Sequence, residues 1–448
     1  MYEKSVGYHE TVLIAGAGPT GLTLAIDLAR RGISCRLIEA AEAPFTGSRG
    51  KGIQPRTLEI FEDLGIIEPI LAAGGLYPKM RIHLGPLSMR AGSLGSSRPP
   101  TESIPYPNLW MVPQSCTEAI LRERLHALGG RVEFNRSIET VKQDEDGVDA
   151  TFSNGETARA DYLVGCDGGR STVRKTLDLK LEGETIDEKP VLVADVGIDG
   201  LDRSDWHIWP FAKGGAIGLC PLPNTPFFQL TAKTDAIGAD LEGVVCKATG
   251  QRIERVAWRS MYQPAVRMVN RYRVGRVLLA GDAAHMHPPA GGQGLNTGVQ
   301  DAYNLGWKLT HVLRGGPDSL LDSYESERIP IAAAVLGLSK HLLETRSIKR
   351  GDATNQLALH YRSSSLSSGD VLGNLHPGDR MPDIRLADGS RLFEQMRGTH
   401  ATEIATTEGP RILIRPDGYI AHIGMKHFAE YAGKATQAIK GSVSVTSR

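Results

Sequence analysis

Three short stretches of this 448-residue chain pair glycine with a carboxylate in patterns that could do chemistry. The first is Gly16-Ala17-Gly18-Pro19-Thr20-Gly21, followed by Glu39 at roughly the 20-residue spacing at which an acidic side chain meets a ribose hydroxyl. Gly16 permits a tight turn, Gly18 lets a pyrophosphate approach the backbone, and Gly21 lets a helix, opened by Pro19 and Thr20, pack close to a strand. A carboxylate at Glu39 favours a free ribose 2′-hydroxyl, so this stretch suits FAD or NAD better than NADP. The second stretch, Cys166-Asp167-Gly168-Gly169-Arg170, is an acidic turn leading into a short basic helix. The third runs from Arg276 to Gly298. An apolar segment stops at Gly281-Asp282, a proline elbow follows at Pro288-Pro289, and a glycine-rich turn (Gly291, Gly292, Gly294) leads into a helix at Leu295 and Asn296. N–H groups at such a helix start face outward on the positive end of the helix dipole and can hold a negative charge.

These turns need elements that bring them to one place. Apolar runs at 11–15 and 34–38 read as strands separated by a helix at 22–31 that ends at Gly32. A basic, flexible loop follows, with Arg49 as a candidate cofactor contact and Lys51 as a solvated charge, and then a helix reaching Leu64 and capped by Gly65. Residues 74–106 are rich in Gly, Pro and Ser and read as a strand plus an excursion that could cover a pocket. A helix at 117–128 brings Gln114 and Arg122 to notice, with a salt bridge from Arg122 to Glu118 or Glu123 as the plainer alternative. Strands at 132–134, 138–143 and 148–152 suggest a meander turning at Asp146-Gly147 and Asn154-Gly155. The strand entering Asp167 and the strand entering Asp282 then complete three strand ends, near residues 16, 167 and 282. In an open parallel sheet such ends can converge on one long ligand.

From 177 to 270 the texture changes to alternation and aromatics. Strands are expected at 191–196, 207–211, 216–219 and 227–232, with a hairpin at Gly214-Gly215; Trp206, Trp209, Phe211, Phe227 and Phe228 either form a core or line a pocket. Helices follow at 295–313 and 319–347. The fold class predicted is α/β. A Rossmann-like domain, discontinuous over 1–176 and 271–350 and including the excursion near 74–106, is interleaved with a mixed-sheet domain over 177–270. A linker over 351–378 and a small C-terminal unit over 379–448 complete the chain.

Composition narrows the function classes. Lys+Arg 51 against Asp+Glu 51 leaves a formal net charge of +0, so no global field recruits nucleic acid or an anionic membrane. No apolar run approaches the ~20 residues of a membrane span. Five scattered cysteines without a C-x-x-C pair fit a reducing compartment, and a cytoplasmic location is expected. His285 and His287 have an i, i+2 spacing that could suggest a metal, but no carboxylate or cysteine cluster supports it, so no metal is expected.

The fingerprint at 16–21, the Cys-Asp-Gly-Gly-Arg-Ser-Thr-Val-Arg run at 166–174, and Gly281-Asp282-Ala283-Ala284-His285 with its following Pro-Pro-x-Gly-Gly-x-Gly-x-Asn resemble three motifs of the single-component FAD-dependent aromatic hydroxylases. That family includes para-hydroxybenzoate hydroxylase, phenol hydroxylase and the tailoring hydroxylases of aromatic polyketides. The resemblance implies FAD as cofactor, NAD(P)H as co-substrate, molecular oxygen, and a small aromatic substrate (phenolic or polycyclic) hydroxylated through a flavin C4a-hydroperoxide. It implies that Gly16, Gly18, Pro19, Thr20 and Gly21 hold the pyrophosphate, Glu39 the adenosine ribose, and Gly281 with Asp282 the ribityl chain. Arg49, Gln114 and Arg122 resemble cofactor-touching positions, and Asp167 a motif implicated in both FAD and nicotinamide binding. Pro288, Pro289, Gly292, Gly294, Leu295 and Asn296 would border the isoalloxazine ring. The substrate-activating residue stays unassigned; His207, Tyr262 and His83 are candidates, each read as structural. The ILIRPDGYIAHIG segment resembles the end of a thioredoxin-like C-terminal domain, here short and without a cysteine pair. Two alternatives stay open: a Baeyer–Villiger or epoxidising flavin monooxygenase, and a flavin-binding reductase or non-oxygenase. A homo-oligomer is compatible with the sequence.

Overall fold

A strand that ends in a continuous buried apolar run, here Val12 to Ala15, needs partners on both sides. In the computed structural model His9–Ala15 finds them in Cys35–Ile38 and Thr157–Gly165, both parallel to it. The structure describes residues 9–95, 97–186, 190–212, 215–233, 241–288, 292–345, 352–406, 409–425 and 436–443; Gly214, Pro289, Gly291 and Ser347 lie outside the described residues. The sheet runs Arg273–Val274, Val277–Leu279, Thr157–Gly165, His9–Ala15, Cys35–Ile38, Val132–Glu133. Val148–Phe152 and Ile138–Gln143 fold away from Thr157–Gly165 as an antiparallel pair, turning where Asp-Gly and Asn-Gly are expected to turn. The expected three-stranded meander is corrected in one respect. Val132–Glu133 pairs in parallel with Cys35–Ile38 at the far edge, Val132 opposite Leu37. Strand propensity marks that segment, but the crossover through helix Gln114–Ala127 selects its partner.

Register sets the functional edge. Ala15 lies opposite Gly165, and Gly165 opposite Leu279, so the turns that begin at Gly16, Cys166 and Ala280 open side by side at the carboxyl ends of three adjacent parallel strands. Helices Pro19–Arg30 and Gly294–Leu313 pack against each other over this sheet. Close approach needs glycine: a Cβ on Gly298 would lie 2.4 Å from Thr20 Oγ1, and one on Gly306 2.2 Å from Asp27 Oδ2. Leu13, Ile14, Leu24, Val164, Leu278 and Val299 are buried in the resulting core.

A second, seven-stranded sheet runs Arg255–Tyr262, Val191–Gly197, Phe227–Ala232, Ile217–Pro221, Asp205–Trp209, Lys79–Leu84, Leu87–Arg90. Its last two strands come from the stretch read as a strand plus an excursion: Lys79–Leu84 joins Asp205–Trp209 in parallel, and Arg81 and Arg90 both pair with the buried Asp205. Trp209 and Phe228 enter this sheet's core, while Phe211 is exposed. A five-stranded C-terminal sheet runs Ser368–Gly369, Ile420–Gly424, Arg411–Ile414, Ala401–Thr406, Thr436–Val443. Residues 352–378, rich in Ser and Gly, bury Thr354, Gln356, Tyr361 and Ser364 against the neighbouring helices. The helical stretch expected at 319–347 divides into a short 3-10 turn, Asp318–Leu321, and the helix Asp322–Glu344. Among the described residues no helix is long and apolar enough to cross a membrane.

Candidate functional site

The three fingerprint glycines divide by what surrounds them. Gly16 sits at φ +100°, and a Cβ there would lie 2.4 Å from the Cys166 carbonyl oxygen; a Cβ on Gly21 would lie 1.9 Å from the Gly16 carbonyl oxygen. Gly16 permits the first and second turns to touch, and Gly21 lets the helix close on the first turn. A Cβ on Gly18 would meet nothing within 4 Å. Gly18 therefore borders open space at the N-terminus of helix Pro19–Arg30, which has no side-chain cap, so its first N–H groups face that space. Glu39 receives the Ala17 N–H at Oε2 (2.8 Å) and the Ala41 N–H at Oε1 (3.0 Å), which fixes the carboxylate beside the turn with lone pairs to spare.

Asp167 uses only half of its carboxylate. Oδ2 accepts from the N–H groups of Thr172 (2.7 Å) and Val173 (3.1 Å), whereas Oδ1 is buried with no hydrogen-bond partner among the described residues. A bare buried oxygen is costly unless a ligand donates to it. Asp282 faces the open cleft but lies deep between protein walls, and burial raises its carboxyl pKa, with Asp301 adding to the rise and His285 and Arg49 opposing it. Gly281 is a packing residue: it adopts φ +62°, its N–H donates to Asp301 Oδ2 (3.0 Å), and a Cβ would strike Thr20 Oγ1 at 2.6 Å.

The helix start expected after the glycine turn is present at Gly294. Its N–H groups at Gly294, Leu295 and Asn296 have no intrahelical partner. The Asn296 side chain is wholly engaged in holding the platform: Oδ1 accepts from the Gln54 N–H (2.8 Å), and Nδ2 donates to the carbonyls of Gly52 (2.8 Å) and Gly292 (2.7 Å). Gly292 is left-handed at φ +61° with open space where a Cβ would point. Pro288 is buried beside it; Pro289 lies outside the described residues.

The loop from Phe45 to Gln54 is threaded between this platform and the second sheet. On the sheet side, Gly47 lies under Trp258, where a Cβ would come within 2.3 Å of the ring, and Arg49 Nη2 donates to Ser260 Oγ (3.2 Å). Ser48 Oγ donates to the buried carboxylate of Asp195, and Gln229 donates to the Ser48 carbonyl. On the platform side, the Gly50 N–H donates to Gln114 Oε1 (2.9 Å), and a Cβ on Gly50 would lie 3.3 Å from Leu295. Gln114 Nε2 in turn donates to Glu118 (2.8 Å), whose pKa burial pushes up to about 7. Arg122 pairs with Glu118 at 3.8 Å, the plainer of its two readings, while staying within the Gln114 cluster.

Alternation along the second sheet sorts the three candidate bases. Trp206 faces Lys51, whose ammonium lies 4.8 Å from the indole centroid, so His207, the next residue, points to the opposite face. There His207 meets His83 (2.9 Å), which stacks on Trp209 at 4.2 Å. The histidine pair thus satisfies itself away from the cleft. Tyr262 shares a face with Trp258 and Ser260, towards Arg49, and burial raises its hydroxyl pKa, so it stays a neutral phenol. Sequence reading missed Ser48, Asp195, Gln229, Asp301 and Arg328. Of these only Asp301 carried a local signal, lying two helical turns after Gly294 on one helix face.

Open space over Gly18, a bare carboxylate oxygen on Asp167 and free helix-start amides at 294–296, all along one sheet edge, fit a long ligand with phosphates at one end and a flat anionic ring at the other. That is the shape and charge of FAD. The comparisons agree. Residues 9–339 match the family model described as FAD binding domain. A flavin-dependent monooxygenase of Mycobacteroides abscessus is 44% identical over 458 residues, covering 92% of this chain and 96% of that protein. Pentachlorophenol 4-monooxygenase of Sphingobium chlorophenolicum is 32% identical, covering 90% of this chain and 83% of that protein. The solved anhydrotetracycline hydroxylase of Streptomyces rimosus superposes with a TM-score of 0.74 at 29% identity, covering 93% and 96% of the two chains. The chain belongs to the FAD binding domain family and is a flavin-dependent monooxygenase.

Proposed function

We propose that this protein hydroxylates a phenolic or polycyclic aromatic substrate held between the platform at Pro288–Asn296 and the inner face of the second sheet, consuming NAD(P)H and molecular oxygen. The observation that carries this reading is the threaded loop Phe45 to Gln54, which touches the cofactor platform through Gly50 and Gln54 and the second sheet through Gly47, Ser48 and Arg49. With FAD in place the cofactor would supply the redox and oxygen-activating chemistry, with NAD(P)H as the source of two electrons and water as the second product. The chain's residues do the rest. Gly18 and the helix start behind it hold the pyrophosphate, Glu39 the ribose and Asp282 the ribityl hydroxyls, with 1–176 and 271–350 as the cofactor-binding part. The amides of Gly294 to Asn296 hold negative charge at the ring. Buried Pro288 and the apolar side chains of Leu295 and Trp206 keep water from the reacting face. The second sheet over 177–270 positions the substrate, and Tyr262, locked as a neutral hydroxyl, offers it a hydrogen bond.

The test is substrate-stimulated NAD(P)H oxidation. Purified yellow protein, screened against phenols, polycyclic quinones and indoles, should couple oxygen uptake to a product heavier by one oxygen atom on the ring. Ring expansion beside a ketone, or an epoxide, would assign the alternative oxygen-transfer chemistry. A yellow protein that neither takes up oxygen nor oxidises NAD(P)H with any of them would sink the reading.

A further inference from the structure

His285 and His287 are not used by the reading above, yet they are wired together beneath the platform. Asp301, fully buried, accepts three donors: the Gly281 N–H and His285 Nε2 (2.6 Å) at Oδ2, and Arg328 Nε (2.6 Å) at Oδ1. Burial alone would raise its pKa, but Arg328 and His285 hold it down at about 2. Asp301 is therefore a carboxylate that can only accept, and His285 must carry a proton on Nε2. In the arrangement with one proton on each ring, His285 Nδ1 is bare and accepts from His287 Nε2, 2.8 Å away. That leaves His287 Nδ1 as a bare nitrogen, and this atom is buried without any partner among the described residues. The tautomers of both rings thus follow from one anchored carboxylate.

A second arrangement satisfies the same contacts with one more proton. A proton arriving on His287 Nδ1 lets the Nε2 proton of His287 pass to His285 Nδ1, so the positive charge comes to rest on His285 against Asp301. His287 is neighbour to the helix start: a Cβ on Gly294 would lie 3.5 Å from His287 Cβ and 3.7 Å from Asp282 Oδ1. We propose that the His287–His285 pair takes up one proton from solvent as the flavin at this helix start is reduced, offsetting the negative charge that reduction places there. Two electrons and one proton go to the flavin from the reductant; the additional proton goes to His287 Nδ1, and its charge to the Asp301-anchored His285.

The surroundings of His287 disfavour a proton on it at rest. Burial, with the Arg328 guanidinium adding to it, pushes the His287 pKa well below the ordinary histidine value, and Asp301 opposes. Asp282, itself near Arg49, faces His285 from the cleft, Arg328 approaches from helix Asp322–Glu344, and Tyr272 stacks on His285 at 6.0 Å as an un-ionised phenol. No carboxylate besides Asp301 and Asp282 is among these groups, so new negative charge over Gly294 acts directly against the burial and the cation that keep His287 unprotonated.

The inference rests on FAD occupying the platform, and the test separates the two. Redox potentiometry of the purified holoprotein, with dithionite and mediator dyes at about pH 7 to pH 9, reads protons taken up per two electrons. One proton gives a slope of about 30 mV per pH unit, and two give about 60. We expect the steeper slope in the wild type and the shallower one in His287→Gln. A shallow slope in the wild type overturns the relay, and so does a steep slope that survives in His287→Gln, because the second proton then sits on the flavin. Should His287→Gln bind no flavin, 15N-histidine spectra of oxidised and reduced wild type decide: His287 Nδ1 must gain a bound proton on reduction, and an unchanged signal overturns the relay. A colourless wild type would instead sink the placement of FAD.

Discussion

At the scale of single residues, the glycines that look alike in the sequence do different work. Gly16 and Gly21 make backbone contacts that no Cβ could share, whereas Gly18 faces open space. Gly18→Val should accordingly fold, with the melting temperature of the apoprotein little changed, and lose its visible flavin absorbance; Gly16→Val should fail to accumulate as folded protein. Equal folding of both variants would contradict the division. Glu118 makes a pH-dependent prediction. Its folded pKa, about 7, lies above the ordinary 4.5, so the protonated carboxyl favours the fold below 4.5 and that contribution is lost as pH rises through 7. The full difference is on the order of 3 kcal/mol. Glu118→Gln keeps the hydrogen bond from Gln114 and removes the titration. Its stability relative to wild type, from urea melts, should therefore climb between about pH 5 and pH 8, and a difference independent of pH would refute the assignment.

At the scale of elements, the platform is held by side chains spaced along one helix. Asn296 ties helix Gly294–Leu313 to the loop before Gln54 and to the Gly292 carbonyl, Asp301 ties it to Gly281, and Asn304 with Lys308 ties it to Glu327. Replacing Asn296 with Ala would strand the Gln54 N–H and two carbonyls, a cost of about 3 kcal/mol. The expected outcome is a lower melting temperature together with weaker FAD binding, read by flavin fluorescence on dilution; a normal Kd for FAD would mean that the loop is held by something else. The two halves of the glycine turn should also separate. Asp282→Ala should chiefly lower FAD occupancy. Gly292→Val, strained by about 1–2 kcal/mol in its left-handed conformation but clashing with nothing, should retain FAD and lose turnover.

At the scale of the whole molecule, one buried ionic cluster joins the C-terminal sheet to the rest. Arg415 makes a bidentate pair with Glu327 (2.6 and 2.9 Å) and two contacts with Asp417 (2.5 and 2.9 Å), while Lys308 and Asn304 reach the same carboxylates from the platform helix. Burial would raise the Glu327 pKa, but Arg415 and Lys308 hold it below the ordinary range, so its contribution to stability is present at neutral pH and lost only in strong acid. Arg415→Met would leave Asp417 without its cationic partner and Glu327 with Lys308 as its remaining one, a loss of about 3–5 kcal/mol in unfolding free energy. Chemical denaturation should show that loss as a single transition of the whole chain. A separate early transition confined to the C-terminal sheet would show instead that this region is held independently.

The sequence by itself determined what depends on neighbours in the chain: three strand ends with glycine or acidic turns, the helix starts behind them, the Asp-Gly and Asn-Gly turns, and the change of texture at the second sheet. These follow from backbone dihedral needs, hydrophobic period and the helix dipole, which act over a few residues. Tertiary structure decided the rest. Ser48 meets Asp195 across 147 residues and Gln54 meets Asn296 across 242, and no local pattern reports such pairs. The alternation at Met80, Ile82 and Leu84 marked a strand, but its place in the second sheet was hidden because its partner, Asp205–Trp209, is far along the chain, and Leu87–Arg90, which pairs back onto it, read as part of an excursion. His285 and His287 invited a metal by spacing alone; the carboxylate that gives them a different role arrives from a helix folded back over the sheet. Burial then fixes what composition cannot, namely which carboxylate stays charged, which imidazole nitrogen is bare, and which glycine leaves room for a ligand.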